Sequence, residues 1–429
     1  MHTFASLPKP FKVEISDSAI KDLHRRLDDA RWPAVDTVTD DLSAAEVKNV
    51  FGMGMGPTLP LMKDLARGWR NFSWKESEDY LNGWAISLGP IEPTELNRAL
   101  FARFHHHKVE IEEIHIHFLH ERSSHADAVP LIMVHGWPGS FLEFLEIVPL
   151  LTEPKEPGAQ AFHLVIPSMP GYAFSSPPKT SKWRMDDTAR LFDKLMTGLG
   201  YETYAAQGGD WGSVTARCLG ALYPEHCKAV HLNFCPAGPP APFNYFSPKT
   251  LVEWLPRFIL PDKQRERARR AVNYLEKGSA YYVMQHLTPR TPAYALNDSP
   301  IGLLAWIGEK MMPSIMQASK QPNPTLNRDS LFMTCSLYWF TGSIGTSFLP
   351  YALNPHFATF LTDPAYHLPS FALSTFPWEI AIPSQRDAAR TGNLRWYKEA
   401  DDGGHFAAME KPEVFTEHVR EALTLLMKA

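Results

Sequence analysis

At 429 residues and a net charge of −5, with 44% apolar residues, the chain is neither basic enough for nucleic acid or an anionic membrane surface nor polar enough for disorder. The length suits one large α/β domain with an insertion, or two to three smaller domains. The four cysteines, Cys218, Cys227, Cys235 and Cys335, form no C-x-x-C pair, and the sequence holds no signal-like opening run and no apolar stretch of membrane-spanning length. A soluble, cytoplasmic chain without a membrane span is therefore expected.

Helical patterns dominate residues 1–100. Ser16-Asp17-Ser18 precedes AIKDLHRRLDDARW, an amphipathic helix with its own cap, with Ile20, Leu23 and Leu27 on one face. Residues 39–51 and 58–69 read the same way, and these helices pack or cover. Strands begin near His107. Val109, Ile111, Ile114, Ile116 and Phe118 predict one or two strands with a slip in the alternation. Histidines crowd this region. His115 and His117 share a strand face as metal ligands can, yet no carboxylate or cysteine completes a site, so no metal is expected.

Residues 130–134 (PLIMV) read as a buried parallel strand, followed by His135-Gly136-Trp137-Pro138. Residues 162–166 form the next strand, and 186–199 a helix. A short strand over 201–206 then meets Gly208-Gly209-Asp210-Trp211-Gly212, and a helix follows over 213–222. Gly-x-nucleophile-x-Gly is the strand-to-helix elbow of α/β-hydrolases, which exposes one reactive side chain. The glycines permit a turn where Cβ atoms would collide. Its central residue is Asp210, and a carboxylate there attacks carbon and forms an ester. Read alone, Gly-Gly-Asp is also an ordinary helix-capping loop. The backbone N–H groups of Trp137 and Trp211 would form the oxyanion hole.

A strand over 229–234 comes next. Residues 237–352 are mostly helical and interrupted by prolines, including PKTLVEWLPRF, DKQRERARRAVNYLEK, SPIGLLAWIGEKMM and SLFMTCSLYWF. The arginines of the second segment read as a solvated face. Strands resume at 371–375 and 394–397, each ending in polar residues, Glu379 after the first and His405 after the second, and a helix closes the chain over 412–427. The βαβαβ order predicts a parallel sheet. Nucleophile, acid and histidine follow one another as in α/β-hydrolases.

The segments HGWPGSFLEF, FHLVIPSMPGYAFSS, QGGDWGS, KAVHLNFC, SPIGLLAWIGEK, SLYWFTGS and GGHFAAMEKPE, with the opening PFKVEISDSAIKDLHRRLDDARWP, resemble the microsomal-type epoxide hydrolases, and look most like their soluble fungal members. The resemblance covers nearly the whole chain. It implies an α/β-hydrolase fold with a mostly parallel central sheet, a helical cap inserted after the post-elbow strand, and an N-terminal helical extension. The expected division is an N-terminal segment over 1–100, a core over 101–236 and 353–429, and a cap over 237–352.

The same resemblance implies Asp210 as nucleophile, His405 as base, Glu379 as its orienting acid, and two cap tyrosines that activate the epoxide oxygen. These are Tyr282, with adjacent Tyr281 as an alternative, and Tyr351, where the following sequence departs from the family's usual charged residue. It implies conversion of a small-molecule epoxide and water to a vicinal diol, with no cofactor and no metal. Soluble relatives imply a homodimer through the cap. Two rival functions are a haloalkane dehalogenase, which shares the aspartate nucleophile and would use tryptophan indoles to hold halide, and a catalytically inactive binding protein on the same fold.

Overall fold

The computed structural model describes residues 2–36, 56–82, 104–237, 262–321, 324–354 and 356–428. The helix expected over 39–51 and the PKTLVEWLPRF segment lie outside them. Helix α1 (Asp17–Asp28) starts where Ser16 accepts a hydrogen bond from the Ala19 N–H at 3.2 Å. Helix α2 (Leu59–Asn71) buries Met62, Leu65, Ala66 and Trp69, and α3 (Trp74–Leu81) follows.

Nine strands form one sheet in the order β1-β2-β3-β5-β4-β6-β7-β8-β9. They are β1 (Lys9–Pro10), β2 (His106–Ile111), β3 (Ile114–Glu121), β4 (Val129–Val134), β5 (Phe162–Pro167), β6 (Tyr204–Gly208), β7 (Cys227–Leu232), β8 (Leu368–Thr375) and β9 (Gly392–Glu399). The run from β5 to β9 is parallel, whereas β1, β2 and β3 join antiparallel. β4 and β6 sit side by side in the middle, buried on both faces, which is why they read as continuous apolar or small-residue runs.

The slip in alternation after Ile111 is a two-residue hairpin turn. Glu112 and Glu113 have φ of 52° and 62°, the twist that joins right-handed strands tightly. Neither residue is the usual glycine or asparagine. Arg190 at 2.9 Å and Lys194 at 2.6 Å hold the Glu112 carboxylate. The histidines here are structural. His115 is exposed, while buried His117 bonds His106 and Ser168, each at 2.9 Å.

Helices α4 (Met185–Gly198) and α5 (Asp210–Leu222) flank the central strands. Between β7 and β8 lie α6 (Asp262–Asn273), α7 (Ala280–Leu287), α8 (Arg290–Asp298), α9 (Pro300–Ala318), α10 (Arg328–Thr341) and α11 (Leu349–Leu353). The largest apolar cluster runs without a break from Leu23 and Trp69 of the N-terminal helices, through Ile307 and Leu331 of α9 and α10, to Val134 and Ala206 of the sheet. Helix α12 (Pro412–Met427) packs Phe415, Val419 and Leu423 into a second cluster with Leu131 and Ala205. Among the described residues, no helix is long and apolar enough to cross a membrane.

Candidate active site

The elbow is strained where the sequence places its carboxylate. β6 ends at Gly208, α5 begins at Asp210, and Asp210 itself has φ of 48°. Aspartate is one of the few residues that enters this left-handed region, at a cost of about 1–3 kcal/mol. Two glycines leave no choice of side chain. A Cβ on Gly208 would stand 2.1 Å from the Gly212 carbonyl oxygen, and one on Gly212 would stand 1.9 Å from that of Val134. Backbone meets backbone at both places, so the turn closes only without side chains.

The strain presents the carboxylate to three groups. Trp137 donates its backbone N–H to Asp210 Oδ1 at 2.9 Å, and the Trp211 N–H also favours the charged carboxylate. Asp210 Oδ2 lies 3.6 Å from His405 Nε2. On the other side of the ring, His405 Nδ1 bonds Glu379 Oε1 at 2.7 Å, and the same oxygen accepts the Ile380 N–H at 2.6 Å. Asp210, His405 and Glu379 follow β6, β9 and β8, so three parallel strands bring them to one sheet edge.

Burial, the largest influence on His405, favours its neutral form. The charge and hydrogen bond of Glu379, then the charges of Asp210 and Glu143, outweigh it and raise the imidazole to about 9. Burial raises Asp210 above the usual carboxylate range, opposed by His405 and by the N–H groups of Trp137 and Trp211. The charged His405 ring and the two amides thus offset part of the burial that disfavours the ionised form of Asp210.

The tyrosines come from α7 and α11, which His286 ties together through Nδ1 and the Tyr351 carbonyl oxygen at 2.9 Å. Tyr351 is buried. Its ring lies edge-on to Trp211 at 5.0 Å and to Trp137 at 6.0 Å. Its hydroxyl makes no hydrogen bond within ordinary geometric limits among the described residues, although the Tyr281 phenol is near enough to interact with it. Tyr282 is half-buried, with its ring 5.2 Å from that of Tyr351. Tyr281 is buried, stacks on the Trp137 indole at 5.1 Å and 16°, and shares a hydrogen bond with Tyr274 at 3.2 Å. Burial, then neighbouring phenols and the Asp210 charge, hold Tyr281 and Tyr351 well above the usual tyrosine range, so both stay protonated.

One site group was not singled out from the sequence. Glu143, in the helical turn after the Gly136–Ser140 loop, lines a small cavity with Gly136, Asp210 and His405. Burial raises its carboxyl to about 8, against the pull of His405. The segment HGWPGSFLEF contains it, but only the folded turn brings it to the cavity that His405 also lines.

Residues 129–302 match the family model described as the alpha/beta hydrolase fold, and residues 8–99 and 94–144 match the model for the epoxide hydrolase N terminus. A putative epoxide hydrolase of Stigmatella aurantiaca is 34% identical over 422 residues, covering 97% of this chain and 85% of the relative. Epoxide hydrolase 1 of Sus scrofa is 32% identical over 97% of this chain and 89% of its own. The solved structure of Aspergillus niger epoxide hydrolase superposes with a TM-score of 0.78 at 30% identity, covering 99% of this chain and 97% of the other. The juvenile hormone epoxide hydrolase of Bombyx mori gives 0.79 at 26% identity, over 99% and 96%. The strained Asp210 elbow and near full-length likeness to these enzymes converge: the chain belongs to the epoxide hydrolase family of the α/β-hydrolase fold.

Proposed function

We propose that the protein hydrolyses an epoxide to a vicinal diol in two half-reactions through a covalent Asp210 ester. The observation that carries this reading is the division of labour at one carboxylate. Oδ1 rests on the Trp137 N–H while Oδ2 lies on the His405 side. Oδ2 attacks a ring carbon as the C–O bond breaks, and the electron pair passes to the epoxide oxygen. Phenols held in their protonated form donate to that oxygen. The second half-reaction needs a base. Neutral His405, oriented by Glu379, takes a proton from water, and the hydroxide attacks Cγ of the ester. Negative charge then gathers on Oδ1, where the Trp137 N–H already points, with the Trp211 N–H beside the carboxylate. Each such donor is worth about 3 kcal/mol. Collapse breaks the Cγ–Oδ2 bond, and the departing alkoxide takes the proton held by His405.

Tyr351 supplies one phenol. For the second, the sequence placed Tyr282 first and Tyr281 as its neighbour. We assign it to Tyr281, because that ring is buried and stacks directly on Trp137, whose N–H holds Asp210, whereas Tyr282 is half-buried. Tyr281→Phe and Tyr351→Phe should each slow ester formation at least tenfold, and Tyr282→Phe less than threefold. The reverse ranking of Tyr281 and Tyr282 returns the assignment to Tyr282.

The decisive test separates the half-reactions. His405→Gln, incubated with styrene oxide and examined by intact mass spectrometry, should carry one substrate mass, mapping to Asp210. Normal turnover would remove His405 as base, and an adduct elsewhere would remove Asp210 as nucleophile. Chloride release from a chloroalkane, with no diol from styrene oxide, would favour the dehalogenase reading. The homodimer expected through the helices between β7 and β8 has Val283, Met284, Leu287 and Tyr294 as its exposed apolar face. Sedimentation at micromolar concentration should show a dimer that Leu287→Glu dissociates; a monomeric wild type removes it.

A further inference from the structure

A lysine has no ordinary reason to sit where Lys310 does. It lies in the middle of α9, only 1% exposed, at a depth where the helix otherwise presents Leu303, Ile307 and Met311. Burying an ammonium is costly unless its surroundings return the energy. Two contacts return part of it: an ion pair to Glu309 Oε1 at 2.7 Å, and a hydrogen bond to the Gly278 carbonyl oxygen at 3.4 Å. The third contact points toward the reaction. The Lys310 ammonium lies over the Tyr281 ring, 4.3 Å from its centroid. Tyr281 in turn stacks on Trp137, whose backbone holds Asp210.

We propose that Lys310 is a positioning residue for the first half-reaction, strengthening the Tyr281 phenol as a hydrogen-bond donor by placing a desolvated positive charge on its ring. The proposal rests on the reading of Tyr281 as an epoxide-activating phenol. Lys310 touches no substrate and moves no proton. As the epoxide C–O bond breaks, charge builds on the epoxide oxygen, and part is shared with the phenolic oxygen that donates to it. A cation against the ring face stabilises that shared charge, and with water excluded the attraction persists although the Glu309 carboxylate weakens it. The Asp210 carboxylate acts the other way on the same phenol, making its O–H harder to polarise. Lys310 offsets this from the side away from solvent. Among the described residues, the ionisable groups around Tyr281 include Tyr274, Tyr351, Asp210 and Lys310, with Glu309 behind the lysine. A purely structural lysine would serve only to hold the Gly278 carbonyl, which ends the turn before α7, and would support both half-reactions alike.

The test is single-turnover kinetics on the full-length protein with styrene oxide, resolving ester formation from ester hydrolysis by rapid quench. Lys310→Met should slow ester formation about tenfold and leave hydrolysis within twofold. Lys310→Arg keeps the charge and should restore ester formation to within about threefold. Burial also lowers the lysine's own pKa. Ester formation in the wild type should therefore decline on the alkaline side as Lys310 loses its proton, and in Lys310→Arg that decline should move to higher pH. In a Tyr281→Phe background, Lys310→Met should have no further effect. Equal slowing of both half-reactions, unchanged ester formation, or the full Lys310→Met effect persisting without the Tyr281 hydroxyl would overturn the proposal. Should Lys310→Met fail to fold, the Lys310→Arg profile decides alone, and an unmoved alkaline limb overturns it. If Tyr281→Phe forms ester at the wild-type rate, the assignment of Tyr281 itself is wrong; if it is slow while Lys310→Met is normal, only the role of Lys310 falls.

Discussion

In the proposed reaction the first half needs Asp210 ionised, and the second needs His405 neutral. Attack requires ionised Asp210, which the positive imidazole and two amides favour against burial. Hydrolysis requires a neutral imidazole, yet in the free protein the charges of Glu379, Asp210 and Glu143 raise His405 to about 9. Formation of the proposed ester would resolve the conflict. It removes the Asp210 charge, one of the influences that raises the imidazole, so the His405 pKa falls when neutrality is needed. Ester hydrolysis should therefore speed up as pH rises from 6, with a midpoint below that of the free imidazole. Imidazole titration by NMR gives the second value and single-turnover hydrolysis the first. A hydrolysis rate that falls between pH 6 and 9 would remove His405 as base.

At the scale of the element, the elbow works because β4, β6 and α5 approach closer than side chains allow. Two glycines near it predict different outcomes. A Cβ on Gly136 would stand 2.2 Å from Asp210 Oδ1 and 2.3 Å from Asp210 Cβ, inside the site and against one side chain. Gly136→Ala should therefore lose less stability than a clash of backbone against backbone, and at least a hundredfold in ester formation. A Cβ on Gly212 would instead strike the Val134 carbonyl oxygen at 1.9 Å, forcing α5 off β4. Gly212→Ala should lose stability at or beyond the upper end of the about 1–3 kcal/mol typical of overpacking. Thermal unfolding of both variants beside their activity separates the cases. A stable, active Gly136→Ala would show that the carboxylate is not confined as described.

At the scale of the whole molecule, the N-terminal helices are part of one core with the helices that carry the tyrosines. Buried Trp69 on α2 donates its indole N–H to Ser336 Oγ on α10 at 2.8 Å, across 267 positions of sequence. Tyr338, on the same helix, donates its hydroxyl to the Gly139 carbonyl oxygen at 3.0 Å, in the loop after β4. The N-terminal segment thus braces the loop that carries Trp137. Trp69→Phe keeps most of the packing and leaves the Ser336 hydroxyl without its donor, which should cost about 1–3 kcal/mol. Urea unfolding measures it, and an unchanged midpoint would show that the hydrogen bond adds nothing to stability.

Much of this was legible in the chain because local pattern determines it. Gly208, Asp210 and Gly212 predict the elbow, since only glycine tolerates backbone contact on either side of it. The apolar run before His135 predicts a strand buried on both faces, and Ser16 predicts the start of α1. The order of Asp210, Glu379 and His405 along the chain, with the family resemblance, put these three forward as nucleophile, acid and base. What stayed hidden depends on residues far apart in sequence. The break after Ile111 is a hairpin whose Glu112, in a turn that glutamate disfavours, is held by Arg190 and Lys194 of α4. Adjacent tyrosines on one short helix differ by which of them faces Trp137, and helix phase follows from packing. Glu143 and Lys310 read as ordinary charged residues of apolar helices. Only burial, which tertiary structure alone decides, sets one against His405 and the other against the Tyr281 ring, because charge acts at distances the fold creates.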